Sequence, residues 1–403
     1  MTKSSGPIIQ SPIIQGPIIQ GPIIQGWCPG ALRPMVSGDG LVVRLRPRAG
    51  RLTSDQAMGI ARLAQAHGNG LIDLSARANV QLRGVADARH PVLIAGLYAL
   101  GLIDETPAAE AARNIIVTPF WTDGDGTEGL AQQLMAAIAL PDVPVLPGKF
   151  GYAVDTGDVP VLRTASADIR VERGAAGLIV WADGAATGAA VTRDTAIDAV
   201  QYLAEWFVAA GGIADGRGRM AALVAGGALL PERFRACPVP PVAQATPKPG
   251  LVVAGALVGF DFGQMRAETL ADLSRLGAIR MTPWRMLLIE AATRMPKIAG
   301  LITDPDDPML RVVACTGAPG CLQGHQPTRE LGRALAPFMG ETLHISGCSK
   351  GCAHPTAAAA TLVATPAGFD LIRHGNTAAT PVRCALSAAE ILAHPALLSE
   401  TTT

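Results

Sequence analysis

The sequence predicts an α+β protein built as a duplicated pair, each half a small strand–helix unit followed by a longer lobe. Three observations lead there. A strand–helix–strand–helix order over residues 40–102 recurs over 251–292, a proline-rich stretch separates the two halves, and four cysteines cluster in the second. At 403 residues the chain exceeds one ordinary core, so more than one domain is expected.

Residues 1–37 read as a low-complexity leader. Between Gly6 and Gly26 stand four copies of Pro-Ile-Ile-Gln at a period of five. A proline every fifth residue blocks a regular helix and interrupts a sheet ladder. The first unit, 38–107, opens with LVVRLRP as a strand. Leu52 to His67 follows as a helix, capped by Thr53 and ended by Gly68. LIDLSARANVQLRGV alternates like a single strand, and Pro91 to Leu102 is a second helix. A first lobe occupies 108–237, and PVPPVAQATPKPG at 238–250 reads as a linker. The second unit, 251–302, repeats the order: LVVAGALVGFDFG as strand, Met265 to Leu276 as helix, AIRMTPWRMLLIEA as strand, and a short helix near Ala292. The second lobe is 303–398.

Composition narrows the function. Hydrophobic residues are 49% and charged residues 16% of the chain, which fits a compact enzyme. Lysine and arginine total 33 against 33 acidic residues, so no bulk nucleic-acid or membrane-surface partner is expected and any basic site must be local. Mean hydropathy is +0.30, yet no apolar run reaches the ~18 residues a membrane span needs. No secretory signal is visible. Seven cysteines, four of them clustered, suggest metal ligation in a reducing cytoplasm.

The strongest chemical signal is RVVACTGAPGCLQG followed by LHISGCSKGCAHP. Cys315 and Cys321 are spaced Cys-x5-Cys, 26 residues intervene, and Cys348 and Cys352 are spaced Cys-x3-Cys. Thiolates suit soft metals, and a 4Fe–4S cubane needs one thiolate on each iron from different directions. Structural zinc usually uses tighter Cys-x2–4-Cys knuckles, and neither pair here is Cys-x2-Cys. Glycines 317, 320, 347 and 351 would let the backbone approach a cluster. Cys28, Cys237 and Cys384 stand alone and read as ordinary thiols.

This arrangement resembles the sulfite and nitrite reductase superfamily. The supporting segments are GLVVRLRPRAGRLT, LSARANVQLRGV, ARNIIVTP, LPGKFGYAVD and IRMTPWRMLLIE. The resemblance covers about Gly38 to Leu386. It implies a pseudo-twofold fold of two ferredoxin-like half-domains and two cluster- or cofactor-binding lobes. Within the superfamily, CTGAPGC, GCSKGCAHP and RMTPWRMLL look like the precorrin-3B synthase branch, while siroheme reductases more often carry asparagine at the Lys350 position and arginine at that of His354. That branch implies a 4Fe–4S cluster and a mononuclear non-haem iron; with no flavin or nicotinamide motif visible, electrons are expected from an external donor, an NADH-linked reductase or a ferredoxin. The implied reaction is hydroxylation of precorrin-3A with dioxygen and closure of a γ-lactone.

The same resemblance places carboxylate-binding residues at Arg77, Arg113 and Lys149, with Gln81 and Arg83 expected on one strand face with Arg77. A second lysine, common in siroheme reductases, is replaced here by Gly151, which suits a macrocyclic substrate better than a small oxyanion. His325 and His354 are further candidates for a metal or proton role. Two rival readings stand beside this one: a siroheme-dependent sulfite or nitrite reductase, and a non-catalytic iron–sulfur relay or redox sensor. The relay needs no anion-binding pocket.

Overall fold

The computed structural model describes residues 29–174, 177–241 and 246–399. Most of the repeat leader, Cys28 and the middle of the linker lie outside them. The folded chain starts earlier than residue 38, because Glu110 accepts hydrogen bonds from the amides of Ala31 (2.5 Å) and Leu32 (3.1 Å). Ala31 is buried in the first core.

The first unit comprises β1 (Met35–Ser37), β2 (Gly40–Leu45), β3 (Arg51–Leu52), α1 (Ser54–His67), β4 (Leu71–Leu74), β5 (Val80–Val85) and α2 (His90–Ala99). Thr53 caps α1 through a reciprocal box with Gln56, as its sequence predicts. The second unit repeats the pattern with β12 (Gly250–Val252), β13 (Gly255–Val258), β14 (Gln264–Arg266), α7 (Ala267–Ser274), β15 (Ile279–Met281) and β16 (Leu287–Glu290). The helix expected from Met265 therefore starts two residues later, and among the described residues no helix forms near Ala292.

The units exchange strands. One sheet runs β1-β2-β5-β4-β14 and the other β12-β13-β16-β15-β3, so each takes its last strand from the opposite half. Helices α1 and α7 pack together, and Ile60, Ala64, Leu270 and Leu273 share one core with residues of both sheets. Splitting the chain at the linker would break both sheets.

LVVRLRP forms the single strand β2, but LIDLSARANVQLRGV and AIRMTPWRMLLIEA are hairpins, β4 with β5 and β15 with β16. In the first, Ser75 Oγ accepts from the amides of Arg77 and Asn79, and Ala78 sits at φ 55°. In the second, Thr282 Oγ1 accepts from Trp284 and Met286, and Arg285 sits at φ 60°. Arg77 is thus a turn residue, and only Gln81 and Arg83 share a strand face. The ion pairs beneath these hairpins are duplicated with charges reversed. Asp73 on β4 meets Arg83 on β5 at 3.1 Å, and Arg280 on β15 meets Glu290 on β16 at 2.7 Å.

The lobes are duplicated as well. The first holds α3 (Pro107–Ala112), β6 (Ile115–Val117), α4 (Thr127–Ile138), β7 (Tyr152–Asp155), β8 (Ile169–Gly174), β9 (Gly177–Ala182), β10 (Thr187–Val191), α5 (Arg193–Ala209), α6 (Met220–Ala225) and β11 (Cys237–Pro238). The second holds β17 (Val312–Ala314), α8 (Arg329–Leu335), β18 (Leu343–Ser346), β19 (Ala358–Thr365), β20 (Gly368–Gly375), β21 (Arg383–Leu386) and α9 (Ala388–Ala393). In both, three parallel strands are followed by antiparallel ones, β9, β10 and β11 in the first lobe and β20 and β21 in the second. No helix among the described residues is long and apolar enough to cross a membrane.

Candidate functional site

Ligand sites in open parallel sheets lie beyond the carboxyl ends of the strands. Cys315 directly follows β17, and Cys348 lies two residues past β18. The two cysteine loops are laced together. The Cys315 amide donates to Ile345 O, Gly347 N to Cys315 Sγ at 3.1 Å, and His325 N to Gly347 O at 2.9 Å. Thr328 Oγ1 holds the Cys315 carbonyl at 2.6 Å, and Ser346 Oγ that of Cys348 at 2.7 Å. Gly317 and Gly351, both at φ 63°, let the loops reverse tightly. A Cβ on Gly347 would lie 2.9 Å from Gly317 Cα and 3.2 Å from Cys315 Sγ, so only glycine fits between the loops.

The four thiols act on one another. Burial pushes the Cys348 and Cys352 thiols up, and the neighbouring cysteines push them further; Lys350 counters this in part. Four thiolates packed this way repel unless positive charge sits among them, which a metal cluster provides. The donor set therefore fits a polynuclear iron–sulfur group, with each cysteine on a different iron. The described residues contain no set of three His, Cys, Asp or Glu side chains converged on one point, so a single-ion site of that kind is not formed.

The equivalent positions of the first lobe carry no cysteine and are closed by protein. Thr118 follows β6, and Asp155 ends β7, accepting from the amides of Val161 (2.5 Å) and Leu162 (2.7 Å). Thr127 and Thr156 hydroxyls meet at 2.6 Å beside it.

Histidine 344 on β18 is fully buried, and neither ring nitrogen has a hydrogen-bond partner. Burial, with His354 and Arg285 nearby, pushes its pKa down to about 4, so the ring is neutral. The His354 ring stands edge-on to it at 5.6 Å, with Nε2 3.1 Å from Thr356 Oγ1. Arg285, on the second hairpin turn, donates to Ala353 O at 2.9 Å beside the last cysteine. His325 is exposed.

The expected basic residues separate into two groups. Arg77 and Lys149 come together: Arg77 Nη1 donates to Lys149 O at 3.1 Å and Nη2 to Ser166 Oγ at 3.0 Å. Arg219, which the sequence did not single out, reaches the same hydroxyl at 3.1 Å while pairing with the buried Asp168 at 2.9 Å. Two guanidinium nitrogens thus lie within about 6 Å of each other on one serine. Arg113 and Arg83 lie apart from this pair. Arg113 is buried in a bidentate pair with Asp104 and also donates to Arg46 O. Arg83, 5% exposed, is taken up by Asp39, Asp73, Ser37 and Gly320. Gln81 accepts two hydrogen bonds from Arg44, which lies opposite it on β2. At position 151 a Cβ would lie 2.8 Å from Asn114 Nδ2 and 3.0 Å from its carbonyl oxygen, so a lysine there would displace Asn114.

Comparison with known proteins gives three findings. Residues 33–100 match the nitrite/sulfite reductase ferredoxin-like half domain. A protein named precorrin-3B synthase from Sinorhizobium sp is 29% identical, the alignment covering 88% of this chain and 84% of that one. The structure of Mycobacterium tuberculosis NirA protein superposes with a TM-score of 0.61 at 16% identity, over 88% of this chain and 79% of that chain. At that identity the likeness speaks for the fold.

Proposed function

We propose that the chain is an oxidoreductase of the precorrin-3B synthase type, within the nitrite/sulfite reductase superfamily. It takes precorrin-3A, hydroxylates the macrocycle with dioxygen and closes a γ-lactone, a step of cobalamin biosynthesis. The observation that carries this reading is the alignment with the Sinorhizobium synthase over most of both chains. The crowding at Gly151 supports it against a sulfite or nitrite reductase, since the second lysine of a small-anion site has no room.

Cys315, Cys321, Cys348 and Cys352 hold the 4Fe–4S cluster. When bound, it supplies single electrons drawn from an external donor, an NADH-linked reductase or a ferredoxin. The family also carries a mononuclear iron; among the described residues no three-ligand site for it forms. The protein's own part is binding and orientation. Arg77 and Arg219 present converging positive charge to the carboxylates of the macrocycle, Lys149 orients Arg77 through its carbonyl, and a guanidinium pairs with a carboxylate bidentately. Fixing the ring-A acetate beside the oxidised carbon makes lactone closure intramolecular, which orientation favours strongly.

The test is conversion of precorrin-3A by the purified protein with a chemical electron donor, followed by mass spectrometry in air and under argon. Product with an added oxygen in air alone supports the synthase. Bound siroheme with rapid sulfite or nitrite reduction supports the reductase, and a cluster with neither activity supports the relay.

A further inference from the structure

The loop between Cys315 and Cys321 is docked onto the first half-domain at one atom. The Gly320 carbonyl, in the peptide that carries the Cys321 amide, accepts from Ser37 Oγ (2.6 Å), Arg83 Nη2 (3.1 Å) and Gly38 N (3.3 Å). A carbonyl oxygen has two lone pairs, so three donors leave it little freedom to turn. The other end of that peptide is tied too, because Cys321 N donates to Gly317 O at 2.8 Å. Close packing adds to the lock: a Cβ on Gly38 would lie 2.0 Å from the Pro319 carbonyl oxygen. The guanidinium is itself fixed, by Asp39 through Nε (2.9 Å) and Nη2 (2.7 Å) and by Asp73 through Nη1 (3.1 Å). Asp73 also meets Arg329 of α8, in the cluster lobe, at 3.4 Å.

We propose that Arg83 is a positioning residue for the iron–sulfur cluster, fixing the Cys321 ligand through the Gly320 carbonyl and balancing the charge of Asp39 and Asp73 beside it. It is not a substrate contact. The inference rests on the reading of the four cysteines as cluster ligands, and it extends that site into the first half-domain. Two consequences follow from the geometry. Removing the guanidinium leaves two carboxylates facing the loop without their shared cation, and the added negative field makes the cluster harder to reduce. Removing any one donor to Gly320 loosens the Cys321 arm, so iron is lost faster.

The experiment compares anaerobically purified full-length protein with Arg83→Met, Arg83→Lys and Ser37→Ala. Iron and sulfide are counted, the reduced cluster is followed by EPR and redox titration, and iron release to a chelator is timed. Arg83→Met should lower the midpoint potential and change the EPR line shape, while Arg83→Lys keeps the charge and restores the potential in part. Ser37→Ala leaves the ion pairs intact and should speed iron release by about fivefold, near what one neutral hydrogen bond is worth. It also covers the case in which Arg83→Met fails to fold. If Arg83→Lys and Ser37→Ala both keep the wild-type spectrum, potential and release rate, the proposal falls. Its fall would be plainest if Arg83→Lys raised only the KM for substrate. A wild-type protein without iron and sulfide would instead overturn the cluster reading on which the proposal rests.

Discussion

The serine shared by Arg77 and Arg219 gives a sharp test of the substrate-binding surface. Arg77 donates to Lys149 O and Ser166 Oγ, among its contacts, and Arg219 divides its donors between Ser166 and Asp168. Losing a charge-assisted pair with a carboxylate costs about 1.5–3 kcal/mol, which is roughly 10- to 150-fold in affinity. Arg77→Ala should fall within that range. Arg219→Ala should fall at its lower end, because Arg219 is already paired with Asp168 and part of its charge is neutralised before substrate arrives. The two side chains meet at one hydroxyl, so their effects should not add, and a coupling of about 0.5–1.5 kcal/mol is expected in a double-mutant cycle. The assay is kcat/KM for precorrin-3A at saturating dioxygen and electron donor, with thermal unfolding run on each variant to separate folding from binding. An unchanged kcat/KM in both single variants would refute the assignment, and strict additivity would refute the shared carboxylate.

Other outcomes follow from the same structure. Cys348→Ser should strip most iron and sulfide, whereas Cys384→Ser, at an exposed thiol of β21, should leave both intact by chemical analysis. Arg113→Ala should cost about 1.5–3 kcal/mol of stability by removing the bidentate partner of the buried Asp104, which keeps only a 3.6 Å contact with Arg48, read as a drop in Tm, with kcat/KM of the folded fraction little changed. Glu290→Ala should cost about 2–4 kcal/mol, since it leaves Arg280 without its carboxylate where the two halves exchange strands. The pH dependence of that loss has a defined sign. Burial pushes the Glu290 carboxyl up, but the hydrogen bonds and charges of Arg51 and Arg280 outweigh it and hold the pKa below the usual value. Its contribution is therefore present above the unfolded value of about 4.3 and disappears as pH falls through the lower folded value, so wild type and variant should converge in acid.

The strand–helix order made the duplicated fold readable from residues alone, and the cysteine spacing marked the two loops that the fold laces together. The hairpins were not readable, because the left-handed turn positions are held by Ala78 and Arg285 rather than glycine or asparagine, and the apolar alternation runs on through both turns. Strand exchange was hidden in segments of two and three residues, Arg51–Leu52 and Gln264–Arg266, too short to show a period. The duplication also conceals itself in charge. Asp73 and Arg83 in one half answer to Arg280 and Glu290 in the other, so the same interaction survives while the residue identities disagree. Motif position alone could not separate Arg77, turned to the surface beside Lys149, from Arg113, closed against Asp104. Arg219 stands 142 residues beyond Arg77 in a Gly-Arg run with no distinguishing pattern, and only the fold brings them to one serine.

The central claim is that a cluster-bearing protein of reductase architecture inserts oxygen into a tetrapyrrole precursor. The most direct test is a single turnover of precorrin-3A by the holoprotein under isotopically labelled dioxygen, with the product read by mass spectrometry. The account predicts one labelled oxygen in the product hydroxyl and no product when dioxygen is withheld. Equal turnover without dioxygen, or a product hydroxyl labelled only from water, would contradict it.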